Sequence, residues 1–299
     1  MITFADGAES MKSAGNRLRS QTINSEVFTE VVVVNKEMLL KSGQVGDELL
    51  NFMVSQNRGF GYWVWKPVIL KLALEGYWGD YEFITYMDAG CEYVDNYFSS
   101  KRMHNFLDIA RKQNILAFST SHPEERFSKK KVLNILNDVK DQTNPQVEAT
   151  TIFIKNCKFS RDFISNWLEM SILNNFGNLD DEIEDESDNF LEHRHDQSVF
   201  SVLYKNFQLK SLKNEHPVMK NSQTIVLPSC IAFASWPIWQ VRNRTGESLI
   251  KGKCNSYLVG AFSYGIFPFR SILRTFVRFL KGIKFYLKYQ ISNLIKFHS

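Results

Sequence analysis

The chain has 299 residues, 44% hydrophobic and 23% charged, which excludes global disorder and suits one large α/β domain or a domain with an appendage. The formal net charge of +4 is unevenly spread: Arg270, Arg274, Arg278, Lys281, Lys284, Lys288 and Lys296 all fall in residues 267–299, which contain no acid, leaving −3 for the rest. Nucleic acid is therefore a poor partner for the body of the chain. The four cysteines, Cys91, Cys157, Cys230 and Cys254, lack metal-ligand spacing, which argues against zinc and fits free thiols in a reducing compartment. No secretory signal is expected at MITFADGAES, and no apolar run reaches the roughly 18 residues of a bilayer-spanning helix.

Ile2–Ala5 reads as a first strand ending at Asp6-Gly7, and Ala8–Ser20 as a helix or loop. Phe28–Val34, with its unbroken Val31–Val34 quartet, reads as a strand buried on both faces, as in a parallel sheet covered by helices. A short helix is expected over Asp47–Val54. Pro67 can open another, with helical spacing through Val68, Ile69, Leu72 and Ala73 up to Gly76. Glu82–Met87 is a strand, Phe98–Lys112 an amphipathic helix, Ile115–Ser119 a strand, and Glu124–Val139 a polar helix. Val147–Ile154 is a further strand and Arg161–Leu173 a helix. The acidic run 178–188 reads as a solvated loop or helix start. His195–Tyr204 is a helix, Leu209–Leu212 and Thr224–Leu227 are short strands, and Cys230–Gly260 is mostly irregular. Strands alternating with helices predict a Rossmann-like sheet sandwich: mixed, mostly parallel, and flanked by helices.

Two stretches carry chemistry. In Tyr81–Glu92, YEFITYMDAGCE, a run of β-formers delivers Asp88 onto Ala89-Gly90. Ligands of open α/β sheets sit beyond the carboxyl ends of the strands, and Gly90 would let a ligand approach the backbone. In Arg58–Pro67, RGFGYWVWKP, Tyr62, Trp63 and Trp65 lie beside Lys66. A cation at a helix start is electrostatically unfavourable, which an anionic partner would explain. The aromatics could stack on a base or sugar, or pack in the core. Together they suggest a ligand both anionic and ring-containing, such as a nucleotide diphosphate.

These stretches, with GFGYWVWKP at Gly59–Pro67, ITYMDAG at Ile84–Gly90, RHDQSVFSVL at Arg194–Leu203 and RNRTGES at Arg242–Ser248, resemble bacterial glycosyltransferases of the Rossmann-like GT-A fold, of the kind that builds surface polysaccharide or lipopolysaccharide. The resemblance covers roughly residues 1–260, with its motifs specific in combination. It implies transfer of a sugar, with hexosyl transfer favoured, from a nucleotide diphosphate donor to a hydroxyl of a glycan or lipid-linked glycan. It also implies a DxD element holding a divalent cation, Mn or Mg, at the end of a central strand. Here that element is Asp88-Ala89-Gly90, with Glu92 as a possible substitute second acid, and no histidine stands beside RNRTGES.

On this resemblance the donor would meet Asp6 at the end of the first strand, Tyr62, Trp65, Lys66, Asp88, Gly90, Gln197, Arg242 and Arg244. The leaving diphosphate needs a metal or cations, for which Lys66, Arg242 and Arg244 are available; surface ion pairing is the alternative for the two arginines. Asp196 is the leading general base for direct attack, or a helix cap. Glu148 is a second carboxylate able to face the sugar. His193 and His195 read as polar residues of a helix start. The competing functional readings are a noncatalytic carbohydrate- or nucleotide-binding module and a membrane-surface interaction protein.

The chain divides into a transferase domain, 1–266, and a basic helix, 267–299. At about 100° per residue, the seven tail cations share an arc of roughly 120°, opposite Leu273, Phe276, Leu280, Ile283, Leu287, Ile291 and Leu294. Such a helix fits an anionic membrane surface, each cation contributing about 1 kcal/mol; packing on the protein's own core is the alternative. It predicts a peripheral protein at the cytoplasmic face of the inner membrane.

Overall fold

A computed structural model describes residues 1–56, 58–95, 97–183, 185–214, 218–220, 224–226 and 236–249. The expected basic helix 267–299 and the boundary before it lie outside the described residues. In chain order the elements are β1 (Ile2–Phe4), α1 (Glu9–Thr22), β2 (Val32–Val34), α2 (Lys36–Lys41), α3 (Asp47–Ser55), the single turn α4 (Gly59–Tyr62), α5 (Trp65–Leu74), β3 (Phe83–Met87), β4 (Glu92–Tyr93) and α6 (Tyr97–Gln113). There follow β5 (Ile115–Pro123), α7 (Lys130–Leu133), β6 (Pro145–Lys155), α8 (Lys158–Ile172), α9 (His195–Asn206), β7 (Leu212–Lys213), β8 (Val218–Lys220), β9 (Thr224–Val226) and β10 (Ile238–Trp239).

Six strands form the central sheet in the order β2-β1-β3-β6-β5-β7. β1 pairs parallel with β2 and β3, and β5 with β7, while β6 is antiparallel to both its neighbours. Five strands thus run one way and β6 alone runs against them: the mixed, mostly parallel sheet expected from the alternation of strands and helices. Side chains alternate across it. Ile84 and Tyr86 pack in one cluster with α5, α8 and α9, while Met87 joins Leu116, Phe118, Phe153 and Trp239 in the cluster that contains Met103 and Phe106 of α6. Helices therefore cover both faces, and β3 is a central strand buried on each side.

Most element positions match the sequence pattern to within a few residues; three departures are informative. Glu124–Val139 is no single helix: it breaks into a 3-10 turn (Glu124–Arg126), α7 and a second 3-10 turn (Val139–Gln142). Glu124 is fully buried and accepts from Ser128 at 2.6 Å, Gln146 at 3.0 Å, Lys205 at 2.8 Å and Ser201. Such a satisfied buried network outweighs the helix propensity of the polar residues that follow. Lys129 and Lys130 turn to Asp180 and Asp185, so the acidic run docks on α7 as well as meeting solvent. Second, only Val32–Val34 of the expected strand Phe28–Val34 pairs, because a turn at Ser25–Phe28 sends Phe28 into the second cluster. Third, α5 starts at Trp65, with Pro67 still inside its first turn where a missing N–H is tolerated.

Candidate active site

The site lies beyond the carboxyl end of β3. Asp88 follows Tyr86 by two residues and so shares its face of the sheet. The fully buried Tyr86 hydroxyl donates to Asp88 Oδ1. β6 returns antiparallel past this end, with Met87 opposite Thr151 and the Asp88 N–H donating to the Thr150 carbonyl at 2.9 Å. Glu148, two residues before Thr150 on β6, is thereby placed close enough to feel the charge of Asp88.

A strained turn delivers Lys66. Gly59, Phe60, Gly61, Tyr62 and Trp63 all have positive φ, at 61°, 52°, 80°, 49° and 63°. They form one turn of left-handed helix, which costs about 1–2 kcal/mol at each of the three non-glycine positions. Packing holds it. Phe60 stacks on Phe4 at 6.0 Å, Tyr62 stacks on His195 at 4.8 Å, and Trp65 Nε1 donates to the Gly59 carbonyl at 2.8 Å. The chain then enters α5 with Lys66 aimed under the end of the sheet.

Lys66 is 4% exposed. Its ammonium lies 2.8 Å from Asp196 Oδ2, 3.4 Å from Asp88 Oδ1 and 3.1 Å from the Ala149 carbonyl. The contact to the Ala149 carbonyl is a hydrogen bond and the two to the carboxylates are ion pairs, so the ammonium is already surrounded by the chain's own oxygens. Burial is the largest influence on its pKa and pulls it down, but Asp196 and Asp88 together outweigh burial, and the net direction is upward. Burial pushes the Asp196 carboxyl up to about 6 against the pull of Lys66. Asp196 is the second residue of α9, whose N-cap is Arg194. It is not the cap; its carboxylate faces Lys66.

Glu148 has a different environment. It is 9% exposed, and Oε2 accepts from Asn214 Nδ2 at 2.7 Å. Burial raises its pKa, while hydrogen bonds from Gln240 and Asn214 oppose the rise. On the same strand face Gln146 Oε1 accepts from Gln197 Nε2 at 2.7 Å. The half-buried Arg194 lies with its guanidinium 3.6 Å over the ring of Phe127. Arg194, Gln146, Asn214 and Gln240 were not picked out from the sequence as site residues. Amides have no local pattern, and these come from a helix cap, β6 and the segments following β7 and β10.

The other expected donor residues are placed as follows. Asp6 accepts from the backbone N–H of Gly7 at 2.7 Å and of Lys36 at 2.9 Å, tying the end of β1 to the start of α2. Trp65 is 5% exposed and stacked on Phe4 at 4.1 Å, so its ring packs in the core. Tyr62 is half-buried against His195. Gly90 does admit a close backbone, but it is the chain's own: a Cβ there would come within 3.2 Å of Arg242 Cα, and Asn243 N–H donates to the Gly90 carbonyl at 2.9 Å. Buried Arg17 clamps the same loop through the carbonyls of Ala89, Cys91, Asn243 and Thr245. This leaves Arg242 and Arg244 exposed at the rim, Arg242 with a positive φ of 51°. His193 donates through Nε2 to the Asn178 carbonyl at 2.9 Å and accepts the Lys129 N–H at Nδ1. Burial lowers its pKa to about 3.

A divalent cation at Asp88 would need several oxygen ligands, and the side chains present do not supply them. Asp88 Oδ1 is engaged by Tyr86 and Lys66, and Asp196 faces Lys66. The fully buried Glu92 carboxylate accepts from Gln21, Asn243, Ser248 and the Leu249 N–H, so it anchors the 243–249 loop. Among the described residues no three His, Cys, Asp or Glu side chains converge as a metal shell would.

No family model and no curated protein matches the chain. Among solved structures it is similar to apo mouse xyloside xylosyltransferase 1, with a TM-score of 0.40 and 9% identity over 71% of this chain and 83% of that one. It is also similar to the apo WbbM bifunctional glycosyltransferase, with a TM-score of 0.40 and 10% identity over 71% of this chain and 38% of that one.

Proposed function

We propose that the chain is a glycosyltransferase that moves a sugar from a nucleotide diphosphate-sugar to a hydroxyl of a glycan or lipid-linked glycan. The observation that carries the reading is a half-exposed Asp88 beyond the end of β3, fixed by Lys66 and Tyr86, with Glu148 set among amides close enough to feel its charge. Carboxylates and amides are what a polyhydroxyl ligand needs, and arginines suit phosphate. In this reading Arg194, Arg242 and Arg244 meet the diphosphate, and Asp6 lies toward the nucleoside.

Glu148 is the general base. The acceptor oxygen bonds to the anomeric carbon, and the bond from that carbon to the diphosphate oxygen breaks, its electron pair leaving with the phosphate. The acceptor proton passes to Glu148, whose raised pKa suits it to hold one. Asp196 serves as a positioning residue, since its carboxylate is buried and committed to Lys66.

Hexosyl transfer, a place in bacterial surface-polysaccharide or lipopolysaccharide assembly, and peripheral attachment at the cytoplasmic face of the inner membrane through 267–299 complete the proposal. The amphipathic, acid-free sequence of that segment supports the attachment. Among the described residues no helix is long and apolar enough to cross a membrane. A thermal-shift screen of nucleotide sugars against the free nucleotides and free sugars tests the function. At least one nucleotide sugar should raise the melting temperature of the wild type and not of Asp88→Asn. No shift with any nucleotide sugar would contradict it.

A further inference from the structure

Two carboxylates, Asp88 and Asp196, converge on one point beyond the end of β3, and that point is already filled by a cation of the chain's own. The Lys66 ammonium lies 2.8 Å from one and 3.4 Å from the other. It is 4% exposed, and the Ala149 carbonyl takes a further contact at 3.1 Å. Lys66 follows the left-handed turn at 59–63 and lies in the buried first turn of α5.

We propose that Lys66 is a built-in monovalent cation occupying the place between Asp88 and Asp196, so that this site takes no divalent metal and Asp88 meets its ligand through its remaining oxygen, as a hydrogen-bond acceptor for a sugar hydroxyl. The inference deepens the glycosyltransferase reading and rests on it for the hydroxyl ligand alone; the cation claim concerns the protein without substrate. Two carboxylates and one ammonium leave a net negative charge, which suits hydroxyl donors and repels phosphate. The phosphates are thereby assigned to the arginines at the rim. A divalent ion between the two carboxylates would have to displace a buried ammonium already paired with both and hydrogen-bonded to the Ala149 carbonyl.

The test is Mn2+ alone, followed by the electron paramagnetic resonance signal of free Mn2+ on titration into the full chain without donor. Wild type and Asp88→Asn should both leave the signal at its buffer value. Lys66→Ala, which removes the ammonium with its stem and keeps both carboxylates facing the vacated space, should take up one Mn2+ per chain, lost again in Lys66→Ala/Asp88→Asn. Uptake by the wild type that Asp88→Asn abolishes would overturn the proposal. A folded Lys66→Ala that binds no Mn2+ would also overturn it. Should Lys66→Ala fail to fold, the wild-type and Asp88→Asn titrations decide alone. Because no nucleotide sugar is present, either result stands apart from the success or failure of the transfer reading.

Discussion

At the scale of single residues, the ion pair of Lys66 and Asp196 governs how the site responds to pH. The folded protein holds the Asp196 proton with a pKa raised from the ordinary 3.8 to about 6, burial being the main cause. A group whose folded pKa is raised contributes most stability below its unfolded value and loses it as pH climbs through the folded value. The contribution of Asp196 therefore falls between pH 3.8 and about 6. Asp196→Asn removes that titration. In urea melts at acidic and neutral pH, the stability of the variant relative to wild type should improve as pH rises across this window. A gap that is the same at both ends would contradict the assignment. Asp88, Glu148, Lys66 and Asp196 were legible as candidates because each sits at a strand end, strand start or helix start that hydrophobic patterning reveals. Their grouping was not. Lys66 reads locally as a cation available to a diphosphate, and only the return of β6 and the start of α9 bring the Ala149 carbonyl and Asp196 to it beside Asp88.

At the scale of elements, the left-handed turn at Gly59–Trp63 is the most strained feature of the described chain. Gly61 has φ +80°, and a Cβ there would lie 2.8 Å from Met53 Cα. Gly61→Ala should destabilise the fold by about 1–3 kcal/mol, read as a lower denaturation midpoint. A variant as stable as wild type would show that the turn is not under this constraint. The sequence displayed the glycines and aromatics of this stretch, but not its hand, because neighbours distant in sequence hold it: Phe4 and His195. The segment from the acidic run to α9 has its own pH response. Burial holds His193 neutral with a pKa of about 3 against an ordinary 6.5. A depressed histidine contributes stability that is present above its unfolded pKa and lost as pH falls through it. Thermal melts should therefore show acid lability setting in below about pH 6.5, in part offset by the opposite response of Asp196. His193→Gln, which keeps a donor for the Asn178 carbonyl, should reduce this loss. An unchanged acid response in that variant would contradict the assignment.

At the scale of the whole molecule, the fold was the most legible part. The apolar runs at β1, β2, β3 and β6 and the helical spacings between them specify a helix-covered sheet with ligand chemistry at one end. Less legible was the reversal of β6, since alternation of strands and helices does not state direction. That reversal brings Glu148 to Asp88. The amphipathic 267–299 segment predicts reversible binding to anionic bilayers. Full-length protein should co-sediment with anionic vesicles, only partly released by salt, and protein lacking 267–299 should stay in the supernatant. Co-sedimentation unaffected by the truncation would remove that segment from the account.

Sugar transfer with Glu148 as base requires turnover that depends on both the acceptor and this carboxylate. Release of nucleoside diphosphate from nucleotide sugars in the presence of glycan acceptors, by wild type and Glu148→Gln, tests it most directly. Glu148→Gln keeps the shape of the side chain and one acceptor oxygen beside Asn214 and Gln240. Wild type should show acceptor-dependent release, and the variant a rate lower by about 10²–10⁴-fold at an unchanged melting temperature. Wild type that binds a nucleotide sugar and never releases the diphosphate, or a Glu148→Gln variant as fast as wild type, would contradict it.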